Sequence, residues 1–227
     1  MPAGQCASEI AGVELLCDIA GCIYWPQESL MAVSDLHLEK GATLASRGSL
    51  LPPYDTAATL TRLAARIDYW QPRRVISLGD SFHDGEASSR MPQNYRSKLA
   101  GAMQGRDWIW ISGNHDPEPP QGIGGDCADE VAIGALTFRH APAAGFVIGE
   151  VSGHMHPHAR IVRRGKAVRR RCFVTDGARL VMPAFGAFAG GLNIRDQAFS
   201  GLFNQTRLCA HMIGRDRLYT IAGRDLA

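Results

Sequence analysis

The chain is short of several things, and each shortage narrows its function. None of its apolar runs reaches the ~18 residues needed to cross a membrane, so no membrane span is expected. Residues Met1 to Ser8 carry neither a basic segment nor a long apolar stretch, so no signal peptide is read. The six cysteines, Cys6, Cys17, Cys22, Cys127, Cys172 and Cys209, form no CxxC pair and no zinc-finger spacing. Buried, reduced thiols in a cytoplasmic protein are therefore expected rather than a disulfide framework. There is no repeat and no low-complexity segment. With 24 basic against 22 acidic residues the formal net charge is only +2, which does not by itself imply a nucleic-acid partner.

What is present is an ordinary globular composition, 45% hydrophobic and 20% charged, over 227 residues. That is enough for one α/β domain with a proper core. Three short apolar runs, Leu30 to Val33, Val75 to Leu78 and Trp108 to Ile111, read as buried strands, each ending in Ser, Gly, Asp or Asn. Between the first two, Leu60, Leu63, Ala64 and Ile67 have helical spacing, with Pro52-Pro53 ahead and Asp55 as the expected N-cap. A second helix is expected over Asn94 to Met103. This alternation predicts a parallel sheet of βαβ units. The second half differs. Val131–Ile133, Leu136–Arg139, Val147–Ser152, Ala159–Arg163, Arg171–Thr175, Arg179–Met182, Arg207–Ile213 and Arg217–Ile221 are short strand candidates with glycine-bearing turns. The expected fold is a mixed α/β sandwich of two sheets, with residues 1–227 as a single domain.

Polar residues just beyond the carboxyl ends of strands line the ligand crevice of open α/β sheets. Five such clusters occur: Asp35-Leu36-His37, Gly79-Asp80-Ser81-Phe82-His83, Gly113-Asn114-His115-Asp116, His140, and Gly153-His154-Met155-His156. Of eight histidines, only His158 and His211 lie outside them. A donor set of imidazole, carboxylate and amide oxygen suits Mn²⁺, Fe²⁺ or Zn²⁺, and thiolates are absent from all five clusters. Seven plausible ligands exceed what one ion needs and fit two ions that share a carboxylate. One DxH or GNHD alone is an ordinary cap or turn; five in order are not.

The motif series DxH, GDxx(D/H), GNH(D/E), an isolated His and GHxH resembles the calcineurin-like metallophosphoesterases. The resemblance implies a four-layer α/β sandwich, two mixed β-sheets flanked by helices. It also implies a hydrolase that cleaves phosphodiester bonds through attack by a metal-bridging hydroxide. Asp35, His37 and His156 would hold one metal, Asn114, His140 and His154 the other, and Asp80 would bridge them. Two divalent ions are implied, Mn²⁺ first and Fe²⁺ or Zn²⁺ after it. His115 would act as general acid. The form GDSFH, with His83 where many protein phosphatases have Asp, resembles the DNA-repair nuclease branch and puts His83 near the phosphate. Whether His83, Asp84 or Asp116 orients His115 stays open.

A further resemblance rests on Trp25-Pro26, Ser34-Asp35-Leu36-His37-Leu38-Glu39-Lys40-Gly41 and the stretch Arg47-Gly48…Leu51-Pro52-Pro53. It is to the bacterial ligase-associated metallophosphoesterases, and implies a functional link to a DNA ligase and a helicase; it leaves the substrate open among DNA, RNA and a small nucleotide. A phosphomonoesterase or nucleotide pyrophosphatase is the alternative enzyme. A non-catalytic scaffold of the same fold is the alternative from another class, disfavoured because every motif position is filled.

Two basic features stand apart. Arg163 to Arg171 puts six positive charges into nine residues and reads as a hairpin. It is either a solvated turn or a ridge contacting phosphate through Arg169 and Arg170. Lys40 is a candidate phosphate contact, with a plain surface lysine as the alternative. The segment from Phe82 to Pro92 is expected to be a mobile rim.

Overall fold

A computed structural model describes residues 4–46, 48 and 54–227. Most of the Arg47 to Pro53 stretch, including the two prolines expected to lead into the first helix, lies outside the described residues.

The chain begins with strands β1 (Gln5–Ile10), β2 (Val13–Asp18), β3 (Ile23–Trp25) and β4 (Leu30–Val33). Helices α1 (Lys40–Ser46) and α2 (Asp55–Trp70) lead to β5 (Arg74–Leu78). Helices α3 (Ala87–Arg90) and α4 (Gln93–Met103) precede β6 (Asp107–Ile111) and β7 (Asp126–Ala128). These strands make one seven-stranded sheet in sequence order, antiparallel from β1 to β4 and parallel from β4 to β7. The expected βαβ units are present as β4–α2–β5 and β5–α4–β6. Strands β1 to β3 and β7 were not expected: β3 and β7 are only three residues long, and the apolar residues of β1 are interrupted by polar ones.

The second sheet holds β8 (Glu130–Ile133), β9 (Leu136–Arg139), β10 (Glu150–Ser152), β12 (Lys166–Thr175), β13 (Arg179–Val181), β14 (Cys209–Ile213) and β15 (Leu218–Ala222). Their order is β15-β14-β12-β13-β10-β9-β8, with β11 (His158–Arg163) paired to β12 alone. Only β9, β10 and β13 run parallel to one another. The sheet is therefore mixed, and the two-sheet sandwich is as expected.

Apolar side chains fill three layers. Ile10, Leu15, Ile76, Leu78, Phe138, Val151, Phe173 and Leu180 lie between the sheets. Leu60, Leu63 and Ile67 of α2 and Leu99 of α4 cover the outer face of the first sheet, packing on Met31, Val75 and Trp108. The outer face of the second sheet is closed by Ile194, Phe199, Leu202 and Leu208, from a segment with a single 3₁₀ turn rather than an α-helix.

Asp55 is not the N-cap of α2. Tyr54 occupies that position, and Asp55 opens the first turn while its Oδ2 accepts from the Gly41 amide at 2.8 Å. An acidic residue is favourable in either place, because the free N–H groups of the first turn are partly positive. The strand expected from Val147 begins only at Glu150.

Candidate metal centre

All five motif clusters follow strands of parallel pairs. Asp35 lies beyond β4, Asp80 beyond β5, Asn114 beyond β6, His140 directly after β9, and His154 and His156 beyond β10. The first three come from one sheet and the last two from the other. The crests of both sheets meet, and residues 119 positions apart converge: the amide of His154 donates to Asp35 Oδ2 at 3.0 Å.

The backbone at these crests is unusual. Asp35, His37, Asp80, His154 and His156 all have positive φ, between 44° and 65°. That region disfavours any residue with a Cβ, at about 1–2 kcal/mol each, and such residues gather at functional sites. Close approach sets a second condition. A Cβ at Gly113 would collide with the backbone and carboxylate of Asp80, and one at Gly153 with the side chains of Ser34 and Asp35. The glycines of GNH and GHxH are thus steric requirements of the site.

Two groups of donors result. In the first, His37 Nε2 and His156 Nε2 face each other at 3.3 Å, and Asp35 Oδ1 lies 3.2 Å from His156 Nε2. Asp35 Oδ2 already accepts from the Ser34 hydroxyl and the His154 amide, which leaves Oδ1 without a hydrogen bond although Asp35 is fully buried. In the second, His140 Nε2 lies 3.0 Å from Asn114 Oδ1, 3.1 Å from His154 Nδ1 and 3.5 Å from Asp80 Oδ1. His140 Nδ1 is 2.8 Å from the Leu78 carbonyl. A carbonyl only accepts, so Nδ1 carries the proton and Nε2 turns its lone pair inward, as a ligating imidazole does.

Burial pushes His37 down to about 3, and burial followed by His140 lowers His154, so both rings are neutral near pH 7. Burial also lowers His156, but the Asp35 carboxylate beside it outweighs this and raises it. Burial raises the Asp35 carboxyl, and His156, His140 and Ser34 together hold it below its ordinary value. Lone pairs that face one another in a buried site repel unless a proton or a cation lies between them. The Asp35 oxygen left over and these two convergences therefore fit a pair of cations, which the seven residues of the motifs could hold.

His115 is in neither group. Its side chain is exposed, its amide donates to Asp80 Oδ1 at 2.9 Å, and its Nδ1 lies 3.1 Å from the His83 carbonyl. Its ring stacks on that of His83, with centroids 5.2 Å apart, and meets His37 edge-on at 5.4 Å. Of His83, Asp84 and Asp116, His83 is the one in contact with the His115 imidazole, through its main-chain carbonyl and its ring. Asp84 is engaged by Arg90 at 2.7 Å and by Thr43 at 2.9 Å. Asp116 accepts from the Phe82 amide at 3.0 Å, and burial, with Asp80 beside it, pushes its carboxyl up to about 7. The Arg90–Asp84 pair and α3 also tie down the segment expected to be a mobile rim.

The three candidate substrate contacts fall in different places. Lys40 opens α1, and its charge reaches His37 and His156. Arg169 crosses to the Gly191 carbonyl at 2.6 Å, beside His158. Arg170 lines another groove, with Ile19, Ala20, Arg62 and Arg215. Arg171 turns inward and donates to the carbonyls of Ala184 and Ala20, each at 3.0 Å, so it is a structural tie. The hairpin expected here is β11–β12, turning at Arg164 and Gly165, both with positive φ.

No family model and no curated protein matches the chain. Among solved structures it is similar to a nuclease MPE of Pseudomonas putida, at 26% identity over 95% of this chain and 100% of that one, with a TM-score of 0.74. Yfce, a phosphoesterase from E. coli, matches at 17% identity over 87% of this chain and 94% of that one, with a TM-score of 0.37 that supports no argument. The two mixed sheets, the five motifs seated on their crests and the likeness to the P. putida structure are consistent with a metallophosphoesterase of the ligase-associated type.

Proposed function

We propose that the chain is a metal-dependent phosphodiesterase whose substrate is nucleic acid or a nucleotide. The observation that carries this reading is the convergence of two donor groups beneath an exposed, oriented histidine. Asp35, His37 and His156 would hold one divalent ion and Asn114, His140 and His154 a second, with Asp80 between them. Ions in these places would offset phosphate charge and lower the pKa of a water at the site.

The remaining work falls to residues of the chain. Because the His83 carbonyl accepts from Nδ1–H of His115, Nε2 is the nitrogen left for a substrate, 4.0 Å from Asp80 Oδ2 on the side of the donor groups. Protonated, it can give its proton to the leaving oxygen, a contribution of typically 10²–10⁴-fold. The His83 ring holds the plane of His115 by stacking and reaches the same space. Asn114, His115 and His154 are exposed, so the site opens onto a surface rather than a closed pocket. An open site suits a polymer better than a small monoester. Lys40 and Arg169 lie where a phosphate chain could run past it, and the similarity to a nuclease supports the same substrate class.

The finer reading is Mn²⁺ as the ion, the cytoplasm as the location and nucleic-acid repair alongside a ligase and a helicase as the setting. Its support is the motif resemblance. The test is hydrolysis, with Mn²⁺, of bis(p-nitrophenyl) phosphate, p-nitrophenyl phosphate and single-stranded DNA by the wild type and by His115→Ala. The reading expects diester cleavage to dominate, and His115→Ala to bind metal yet turn over slowly. Preferred monoester cleavage would replace it with a phosphomonoesterase. Failure to bind Mn²⁺ would end it.

A further inference from the structure

One group of donors lies outside the centre described above. Cys6 on β1 stands directly across the antiparallel ladder from Cys17 on β2. His211 on β14 of the other sheet faces them, and one donor atom from each of the three lies within 4.8 Å of the others. Cys17 and His211 are buried; Cys6 is half-buried, which leaves a way in from solvent. We propose that Cys6, Cys17 and His211 form a separate binding site for a single thiophilic ion of the zinc class.

Three observations support it. The first is chemical. Two sulfurs and an imidazole are a donor set for Zn²⁺ and for softer ions, unlike the oxygen- and nitrogen-only set at the strand crests. Bonds of about 2.3 Å to sulfur and 2.0–2.1 Å to nitrogen place tetrahedral donors roughly 3.5–3.8 Å apart, so a small closure of the group suffices. The second is the support behind His211. Its Nδ1 lies 2.8 Å from Thr220 Oγ1, the residue opposite it on β15. With Nδ1–H donated to that hydroxyl, Nε2 presents its lone pair to the thiols. There it lies 3.3 Å from the Ser8 hydroxyl, a long contact that an ion can replace. The third is the pairing of the thiols: Cys6 and Cys17 stand directly opposite each other on neighbouring strands, so both sulfurs come together on the side that His211 approaches. Cys209, two residues before His211 on the same strand, is the nearest further donor; otherwise water would complete the site.

The site is tested with Co²⁺ on reduced protein. Sulfur bound to cobalt gives a near-ultraviolet charge-transfer band that oxygen and nitrogen ligands do not. The two donor groups of the crest contain no sulfur, so the band reads this site alone. One equivalent of the band is expected in the wild type and in Asp80→Asn. It should vanish in Cys6→Ser, which is expected to keep its circular dichroism and its phosphodiesterase rate. Thr220→Val removes the support behind His211 and should weaken Co²⁺ binding by about 10–100-fold, the usual effect of losing such a partner. A reduced wild type without the band overturns the proposal, whether or not Cys6 and Cys17 can join as a disulfide. So does a band that persists in Cys6→Ser, or, should that variant not fold, an affinity unchanged in Thr220→Val.

Discussion

The two donor constellations are built in opposite ways. At the strand crests the candidate ligands sit on turn residues, five of them with positive φ. The Cys6–Cys17–His211 group sits on regular ladder positions, none with positive φ. Turns allow several donors from one short segment to aim at one point, as in DxH and GHxH, at a cost in backbone strain. Ladder positions supply one donor per strand without that cost, because the packing of the two sheets brings them together. The first construction suits a site that must open to a large substrate; the second suits a site enclosed by structure.

The widest separation should come from Asp80→Asn. Asp80 is buried, holds the His115 amide and stands beside His140. Losing its charge should remove several kcal/mol of support for the reacting centre, or about 10³-fold or more in rate at 1.36 kcal/mol per tenfold. Steady-state hydrolysis of bis(p-nitrophenyl) phosphate measures this. The cobalt–sulfur band should not change, and a parallel loss of both signals would show that the constellations are not independent. His115→Ala comes next, with turnover down by 10²–10⁴-fold and Mn²⁺ stoichiometry unchanged by metal analysis. Loss of metal in that variant would make His115 a ligand instead.

The same contrast explains what was legible. The candidate donors of the crest lie in local motifs, so the clusters holding Asp35, His37, Asp80, Asn114, His140, His154 and His156 stood out after strands, and the motif resemblance set these residues apart from His83 and His115. Cys6, Cys17 and His211 have no mutual spacing. Only the facing of β1 and β14 joins them, and a search for CxxC passes them by. Cys127, expected to be buried like the others, is exposed because β7 is the edge of its sheet. The His83 carbonyl beneath His115 was out of reach because main-chain atoms carry no sequence signature. The positive φ values were hidden for a different reason: Asp and His at those positions are chosen for their donors against backbone preference.

Arg179 was hidden as well. It read as one end of a strand but is fully buried. It pairs with buried Glu150 at 3.3 Å and donates to the carbonyls of Ala143 and Gly145 at 3.0 and 2.8 Å. Those carbonyls belong to the loop running from His140 to β10, so a charge inside the second sheet holds part of the crest in place. Glu150→Ala leaves Arg179 as an unpaired buried cation and should destabilise the fold by about 3–5 kcal/mol, measured by urea denaturation. Replacing both residues by Met should recover much of that loss while hydrolysis stays impaired. Full recovery of both would show that the pair contributes packing but no positioning of His140.

The smallest expected effect concerns Arg169. Its exposed side chain reaches past His158 to Gly191, near the backbone of His156. Arg170, next along the strand, lines a different groove. If the phosphate chain runs over the crest, Arg169→Gln should lower the slope of log affinity against log salt for single-stranded DNA by about one, with affinity lost evenly across sequences. Arg170→Gln should leave the slope nearly unchanged. The two residues are adjacent in sequence and identical in chemistry, so any difference between them can only come from which side of β12 the substrate uses. Equal effects would mean that the whole hairpin attracts nucleic acid without guiding it to the metals.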